Sequence, residues 1–310
     1  MRIAVTGANG FIGSHLVKRL IELGFDAYSM VTPFERTEKL YEDMLRGSTV
    51  LSGDLRDRHS IDLFIRQSRP KVIFSLGALT SVAESFRCPQ AYSEVNIIGL
   101  INLVSSASKH GELEKFVHTA SPEMLKPRKE PYKEDSYEFG NNSPYGLTKV
   151  HNYLYLKHAY EAYGFPAIQV LPNNCYHRKS SMRYVTEKVV TGVMRGKLRL
   201  YGGPDDATRN YTYIDDVIDG LIAVMERGET GRTYHLCRED YYSIGQMVKM
   251  AKEVLNANAE VEWGVGAGRP IDPQYLLLDP KWTYKALDWR PKVSCREGIG
   301  RVADFWRDKT

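Results

Sequence analysis

The sequence predicts an α/β fold: a doubly wound parallel sheet followed by a smaller C-terminal α/β lobe. Three observations carry this. Strand-like and helix-like segments alternate through the first half with short connections. A Gly-rich turn comes directly after the first strand and opens an amphipathic helix. After Gln169 the alternation turns irregular, with Gly/Pro-rich segments at 202–204 and 264–273.

The first strand is read at 3–6. A helix follows over 14–24, with Leu16, Leu20 and Leu23 on one face and Gly24 as its stop. Strands are expected at 27–32 and 49–52. A helix over 61–69 has Ser60 as its N-cap and Pro70 beyond its end. The runs KVIFSL at 71–76 and FVHTA at 116–120 read as buried strands, with a helix over 92–109 between them. Residues 126–143 are polar and read as an exposed loop, and a long helix spans 144–163. The expected division is 1–170, completed by about 208–237, and a second lobe of 171–207 and 238–310. Neither an internal repeat nor a clear linker separates the two.

A chain of 310 residues with 43% apolar content can bury an ordinary core. Its net charge of +4 suits an anionic small molecule, and no Lys/Arg run is dense enough for a nucleic-acid surface. Cys88, Cys175, Cys237 and Cys295 are widely separated, which argues against a zinc site or disulfide framework and for a reducing compartment. His15, His118, His177 and His235 have no metal-ligand spacing, so no metal is expected. With no leader-like segment and no long apolar run, the expectation is a cytoplasmic protein without a membrane span.

In the turn Thr6-Gly7-Ala8-Asn9-Gly10-Phe11-Ile12-Gly13, Gly7 permits the tight bend and Gly10 lets backbone approach a pyrophosphate. Gly13 lets helix and strand pack closely, and the helix N-terminus offers free N–H donors. This is the pattern of a Rossmann-type dinucleotide site. Tyr145 and Lys149, spaced i and i+4 on the long helix, share one face. A free phenol has a pKa of about 10, and a neighbouring ammonium favours its ionised form. Ser121, just past a strand end, faces the ligand crevice of such a sheet.

The GxxGxxG spacing behind Thr6, together with Tyr145-Gly146-Leu147-Thr148-Lys149, resembles the extended short-chain dehydrogenase/reductase superfamily. Further segments match it. Gly53-Asp54-Leu55-Arg56-Asp57 is similar to the element whose Asp contacts adenine, with Leu55 beside it. Leu76-Gly77-Ala78 resembles the Ala-rich stretch beside the cofactor, and Asn96 lies in a segment like the family's N-x-x-G. The resemblance implies cofactor contacts from Gly7, Asn9, Gly10, Phe11, Ile12, Gly13, Thr32, Arg36, Asp54, Leu55, Leu76, Gly77, Ala78, Asn96, Thr119, Tyr145 and Lys149. No carboxylate stands at Val31 or Thr32, and Arg36 follows, so the cofactor is NADP or NAD with NADP favoured.

Ser121-Pro122-Glu123 resembles the S/T-x-E triplet of nucleotide-sugar 4,6-dehydratases. In that family, oxidation at C4 acidifies the C5 proton, the Glu removes it, water leaves from C6, and the hydride returns to C6. Pro122 departs from the Asp or Ser usual there, and Leu125-Lys126 from the usual Tyr-Gly. The resemblance implies Ser121, Glu123, Tyr145 and Lys149 as the catalytic set. It also implies substrate contacts from Ser81, Glu84, Ser121, Asn174, Lys188, Arg209 and Arg269, the two arginines on the diphosphate.

The resemblance runs through Asp288-Trp289-Arg290-Pro291, near the end of the chain. It implies a nucleotide-diphosphate-sugar 4,6-dehydratase (lyase) working with NAD(P). A 4-epimerase (isomerase) using the same Tyr145-driven oxidation is the alternative, then a 4-keto reductase, then a non-catalytic dinucleotide sensor. Relatives pair the helices at 92–109 and 144–163 into a four-helix contact, which implies a homodimer.

Overall fold

The computed structural model describes residues 1–32, 43–177, 184–265 and 269–307. Seven parallel strands form the main sheet: β1 (Arg2–Thr6), β2 (Asp26–Val31), β3 (Thr49–Ser52), β4 (Val72–Ser75), β5 (Lys115–Thr119), β6 (Ala167–Pro172) and β7 (Thr233–Leu236). Their spatial order is β7-β6-β5-β4-β1-β2-β3. Strand order reverses between β1 and β4, the place where open α/β sheets hold ligands beyond the carboxyl ends of their strands.

Alternation along the strands sends side chains to two cores. Ile3 and Val5 of β1, with Val72 and Phe74 of β4, pack on one side. Ala4, Ile73 and Phe116 pack on the other, against Ile61, Phe64, Leu103 and Leu156. Helices cover both faces: α1 (Phe11–Glu22), α2 (Arg58–Ser68), α3 (Gly99–Ala107), α4 (Pro144–Tyr163), α5 (Val185–Met194) and α6 (Ile214–Arg227). The later helices are α7 (Ile244–Leu255), α8 (Lys281–Leu287) and α9 (Cys295–Arg307), of which α7 and α9 pack with α5. Two- and three-stranded sheets built from short segments, such as Thr208–Arg209 between Tyr242–Ser243 and Tyr275–Leu276, complete the second half.

Local chemistry moves three boundaries from where the sequence put them. The first helix begins at Phe11, three residues before the expected 14, because Gly10 already takes the extended N-cap conformation. The cap of α2 is Asp57, not Ser60: the Asp57 carboxylate accepts from His59 N and Ser60 N, while Ser60 Oγ donates to the Asp54 and Asp57 carbonyls. The expected helix over 92–109 is a short helical turn (Pro89–Tyr92), a π-helical stretch (Ser93–Ile98) and then α3. Such π turns insert a residue and swing side chains out of helical register. Here the register change carries Asn96.

The long helix runs where the sequence places it. Ser143 Oγ accepts from Gly146 N at 3.0 Å, Pro144 occupies the first turn, and Gly164 closes the helix at φ 65°. Its start decides where the Tyr145 ring points. No helix among the described residues is long and apolar enough to cross a membrane.

Candidate active site

The turn between β1 and α1 is a cradle that only glycine fits. Gly7 has φ +65°, and a Cβ there would lie 2.7 Å from Gly77 Cα; one at Gly13 would lie 2.1 Å from Gly7 O. Gly77 N in turn donates to Thr6 Oγ1 at 3.2 Å, tying the ends of β1 and β4 together. No side chain caps the N-terminus of α1, so its first N–H groups and their dipole face outward at the sheet's switch point. A dinucleotide pyrophosphate fits this donor set. Asn9, Gly10, Phe11 and Ile12 belong to the same turn.

Around it the structure gathers Leu55, Leu76, Gly77 and Asn96. Leu55 and Leu76 pack in the adjoining cores, and Gly77 lies against Leu55. Ala78 follows Gly77, half-buried. Asn96 is buried and holds Leu79 through both its carbonyl (2.8 Å from Leu79 N) and its amide (3.0 Å to Leu79 O). Its amide also donates to Thr148 Oγ1 of α4 at 3.0 Å. The Asn96 side-chain amide thus shapes the wall through both its oxygen and its nitrogen. Asp54 is paired with Arg56 at 2.6 Å, which holds its carboxyl below the usual carboxylate range. Thr32 lies half-buried just past β2, whereas Arg36 lies outside the described residues.

The reactive side chains converge where β5 meets α4. Tyr145 is only 7% exposed, and its phenol lies next to Ser121, just past the end of β5. Lys149 is 3% exposed, and its ammonium donates to the Thr119 carbonyl at 2.7 Å, with Nζ 5.8 Å from the Tyr145 ring centroid. Burial pushes the Tyr145 phenol above its ordinary pKa; the Ser121 bond works the other way, and the Glu123 charge adds to the rise. The expected lowering of the phenol by Lys149 is not found: the charges that act on it, Glu123 first, raise it further. Burial also brings Lys149 down from 10.5 to about 8.

Glu123 sits on the 3-10 turn Pro122–Met124, whose first N–H group is capped by Ser121 Oγ accepting from Glu123 N at 3.3 Å. Its Oε1 accepts from Arg269 Nη1 at 3.0 Å, while its Oε2 is buried without a partner. Two groups fix this turn. Gly146 approaches so closely that a Cβ would lie 2.5 Å from Glu123 O, and the Asn142 amide donates to Glu123 O at 3.0 Å and Leu125 O at 2.8 Å.

The remaining sequence-selected residues are placed unevenly. Ser81 Oγ caps the turn Val82–Ser85 by accepting from Glu84 N, and Glu84 is exposed beside Arg87 at 3.5 Å. Asn174 takes φ 29° between β6 and the strand Cys175–Tyr176. Lys188 is half-buried on α5, 5.8 Å from the Tyr201 ring. Arg209 is 5% exposed and donates to the carbonyls of Thr208, Pro273 and Gln274, so its guanidinium braces backbone. Arg269 turns to Glu123 and Asp272. Sequence reasoning passed over Asn142 and Tyr92. Tyr92 meets the Tyr145 ring edge-on at 6.3 Å and donates to Ser81 O at 2.6 Å. The signal for Asn142 was its place just before the Ser143 cap. Tyr92 had no signal, because the π turn beside it was not legible. Among the described residues no cluster of His, Cys, Asp and Glu could hold a metal ion.

The family model for GDP-mannose 4,6 dehydratase matches residues 4–302. The chain belongs to this family. It is an enzyme of the NAD(P)-dependent nucleotide-sugar dehydratase and epimerase group, within the short-chain dehydrogenase/reductase superfamily. It is similar to human dTDP-D-glucose 4,6-dehydratase, 25% identical over 99% of this chain and 90% of that protein. It is similar also to Mycolicibacterium smegmatis UDP-glucose 4-epimerase, 27% identical over the full length of both. Among solved structures, Thermus thermophilus UDP-glucose 4-epimerase in complex with NAD superposes with a TM-score of 0.89 at 26% identity, covering 100% of each chain.

The buried ammonium gives family members of this geometry a measurable cost. The drop of Lys149 from 10.5 to about 8 corresponds to roughly 3 kcal/mol. Between those values the unfolded chain binds more protons than the folded one, so this destabilisation is full below about 8 and is relieved as pH rises towards 10.5. Urea unfolding of wild type and Lys149→Met should therefore show their stability difference moving in favour of wild type over that window. A difference flat in pH would show that the ammonium is not desolvated as described.

Proposed function

We propose that the protein is a nucleotide-sugar 4,6-dehydratase. The observation that carries this is Glu123, a carboxylate beside the Ser121–Tyr145 pair with one oxygen held and the other buried and bare. Tyr145 removes the C4 hydroxyl proton, Ser121 orients that oxygen, and Lys149 holds its charge on the same face. The Gly7–Gly13 turn and the wall around Asn96 would hold a nicotinamide dinucleotide, which would supply the hydride acceptor for C4 oxidation and the hydride donor for C6. The C4 carbonyl acidifies C5, and Glu123 takes the C5 proton. As Pro122 bears no acid, the proton on Glu123 is the one at hand in this triplet for the departing C6 hydroxyl, which leaves as water.

The cofactor contacts follow the turn from Gly7 to Gly13, with Asp54 at the adenine and Asn96 and Thr119 along the nicotinamide half. Asn174 and Lys188 are assigned to the nucleotide, and Ser81 and Glu84 to the cleft rim. The two lobes are read as 1–170 completed by 208–237, and 171–207 with 238–310, in a cytoplasmic enzyme. A 4-epimerase is the second reading. It is favoured by the missing acid at Pro122 and by the epimerase relatives, and it would use the same Tyr145 chemistry with the hydride returned to C4.

Four measurements test these assignments. Glu123→Gln should still reduce the cofactor yet lose about 100-fold or more in turnover, and proton NMR of the wild-type product should show a C6 methyl. A C4 epimer without that methyl would replace the dehydratase with the second reading. NADP should bind more tightly than NAD in calorimetric titration, because no carboxylate stands at Val31 or Thr32 to repel a 2′-phosphate; the reverse order removes that preference. Ile98, Leu147 and Leu154 are 50%, 51% and 47% exposed on the helices expected to pair. Light scattering should accordingly give a dimer mass, and Leu147→Asp with Leu154→Asp a monomer mass. A monomeric wild type would end the homodimer assignment.

A further inference from the structure

We propose that Tyr92 is a positioning residue: its ring holds the Tyr145 phenol and its hydroxyl holds the loop 79–81 that carries Ser81. This rests on the reading of Tyr145 as the group that takes the C4 hydroxyl proton, a step the dehydratase and epimerase readings share. Tyr92 closes the turn Pro89–Tyr92, and the π-helical stretch Ser93–Ile98 begins at the next residue. It is 2% exposed, too enclosed to touch a substrate itself. Its hydroxyl donates to Ser81 O at 2.6 Å, and its ring stands at 82° to that of Tyr145, with centroids 6.3 Å apart.

The same stretch grips the loop and the helix again one turn later. The Asn96 amide group bonds both the N–H and the carbonyl of Leu79, and it also donates to Thr148 Oγ1. Thr148 Oγ1 donates to Tyr145 O at 2.7 Å, and Asn152 Nδ2 donates to Asn96 O at 2.9 Å. Tyr92 and Asn96 therefore hold the two ends of the loop 79–81 while both lean on α4. A π turn is a rare insertion, found most often at functional sites. Here it begins between the two gripping residues and so sets their spacing. The start of α4 aims the Tyr145 side chain, and the Tyr92 ring keeps it there, because perpendicular aromatic pairs have a preferred edge-to-face arrangement. Tyr92 suits this part chemically. A phenol has one proton to donate, and Ser81 O takes it, which leaves none for the Tyr145 oxygen. Burial pushes the Tyr92 phenol up to about 12, so it stays neutral beside a neighbour that has to ionise.

The test uses the full-length, cofactor-loaded enzyme with whichever of UDP-glucose, dTDP-glucose and GDP-mannose reduces the cofactor fastest in a single turnover. Tyr92→Leu removes ring and hydroxyl together and should slow that reduction about 10- to 100-fold, the effect of a misplaced reacting group. Tyr92→Phe keeps the ring and loses only the bond to Ser81 O. Its reduction rate should return to within about threefold of wild type, while its Kd for the sugar nucleotide, measured by calorimetry, weakens about three- to tenfold. The Kd of the matching nucleoside diphosphate, which has no sugar for the loop to meet, should stay within about twofold in both variants. A side chain that only filled the core would lower the melting temperature without dividing rate from affinity in this way. If Tyr92→Leu reduces the cofactor as fast as wild type, or Tyr92→Phe is slowed as much as Tyr92→Leu, the hold on Tyr145 is overturned while Tyr145 keeps its assignment. If Tyr92→Leu does not fold, Tyr92→Phe decides: wild-type affinity for the sugar nucleotide would overturn the proposal through its second half. If Tyr145→Phe oxidises C4 unimpaired, or no sugar of the three reduces the wild-type cofactor, the reading of Tyr145 fails and the role of Tyr92 with it.

Discussion

The site depends on one buried ammonium. Lys149 is almost completely withdrawn from water, and it is held by the Thr119 carbonyl at the end of β5. A lone charge in such a place is expensive unless hydrogen-bonded. That bond ties the end of β5, just before Ser121, to the helix that carries Tyr145. The charge acts on its surroundings as well. His118, one residue before Thr119, is kept neutral first by burial and then by the positive charge of Lys149, and its Nδ1 lies 3.1 Å from Ser75 Oγ. The neighbourhood is thus polar and holds the Lys149 cation within 5.8 Å of the Tyr145 ring centroid.

Packing at the helix start sets the rest. Gly146 brings α4 against the backbone of Glu123, so the helix that carries the phenol also supports the carboxylate. Asn142 stitches the same turn from the preceding loop, and Ser143 begins the helix one residue later. The segment 126–143, which composition marks as an exposed loop, is therefore exposed along most of its length and structural at its end. Its Tyr132 is buried and joins Leu278, far along the chain, in a β-bridge, a tie that polarity counts could not reveal.

What the sequence made legible follows the range of the interactions. The i, i+4 spacing of Tyr145 and Lys149 and the Pro144 start of α4 are local rules and fall where expected, while the helix behind the glycine turn starts three residues early. The parallel sheet was legible because alternation of strands and helices leaves few other arrangements. The π-helical stretch at 93–98 was not, since inserting one residue in a helix leaves no periodic trace in six residues. The cap of α2 was misread because Ser60 and Asp57 are both good caps, and only the backbone position decides between them. Long-range pairing was least legible. Arg209 and Arg269 lie in segments far from Glu123 in sequence, and nothing local says whether a guanidinium will meet a phosphate, a carbonyl or a carboxylate.

That last ambiguity has a physical origin. A guanidinium offers five donors in a plane and satisfies a diphosphate or a row of protein acceptors with similar geometry. Burial discriminates between them. Arg209 is 5% exposed with its donors on three backbone carbonyls, and burial lowers its pKa. Arg269 is less enclosed, yet both of its terminal nitrogens meet carboxylates. A phosphate would compete with Glu123 and Asp272 for the same donors, which is why the residue type alone does not name the partner.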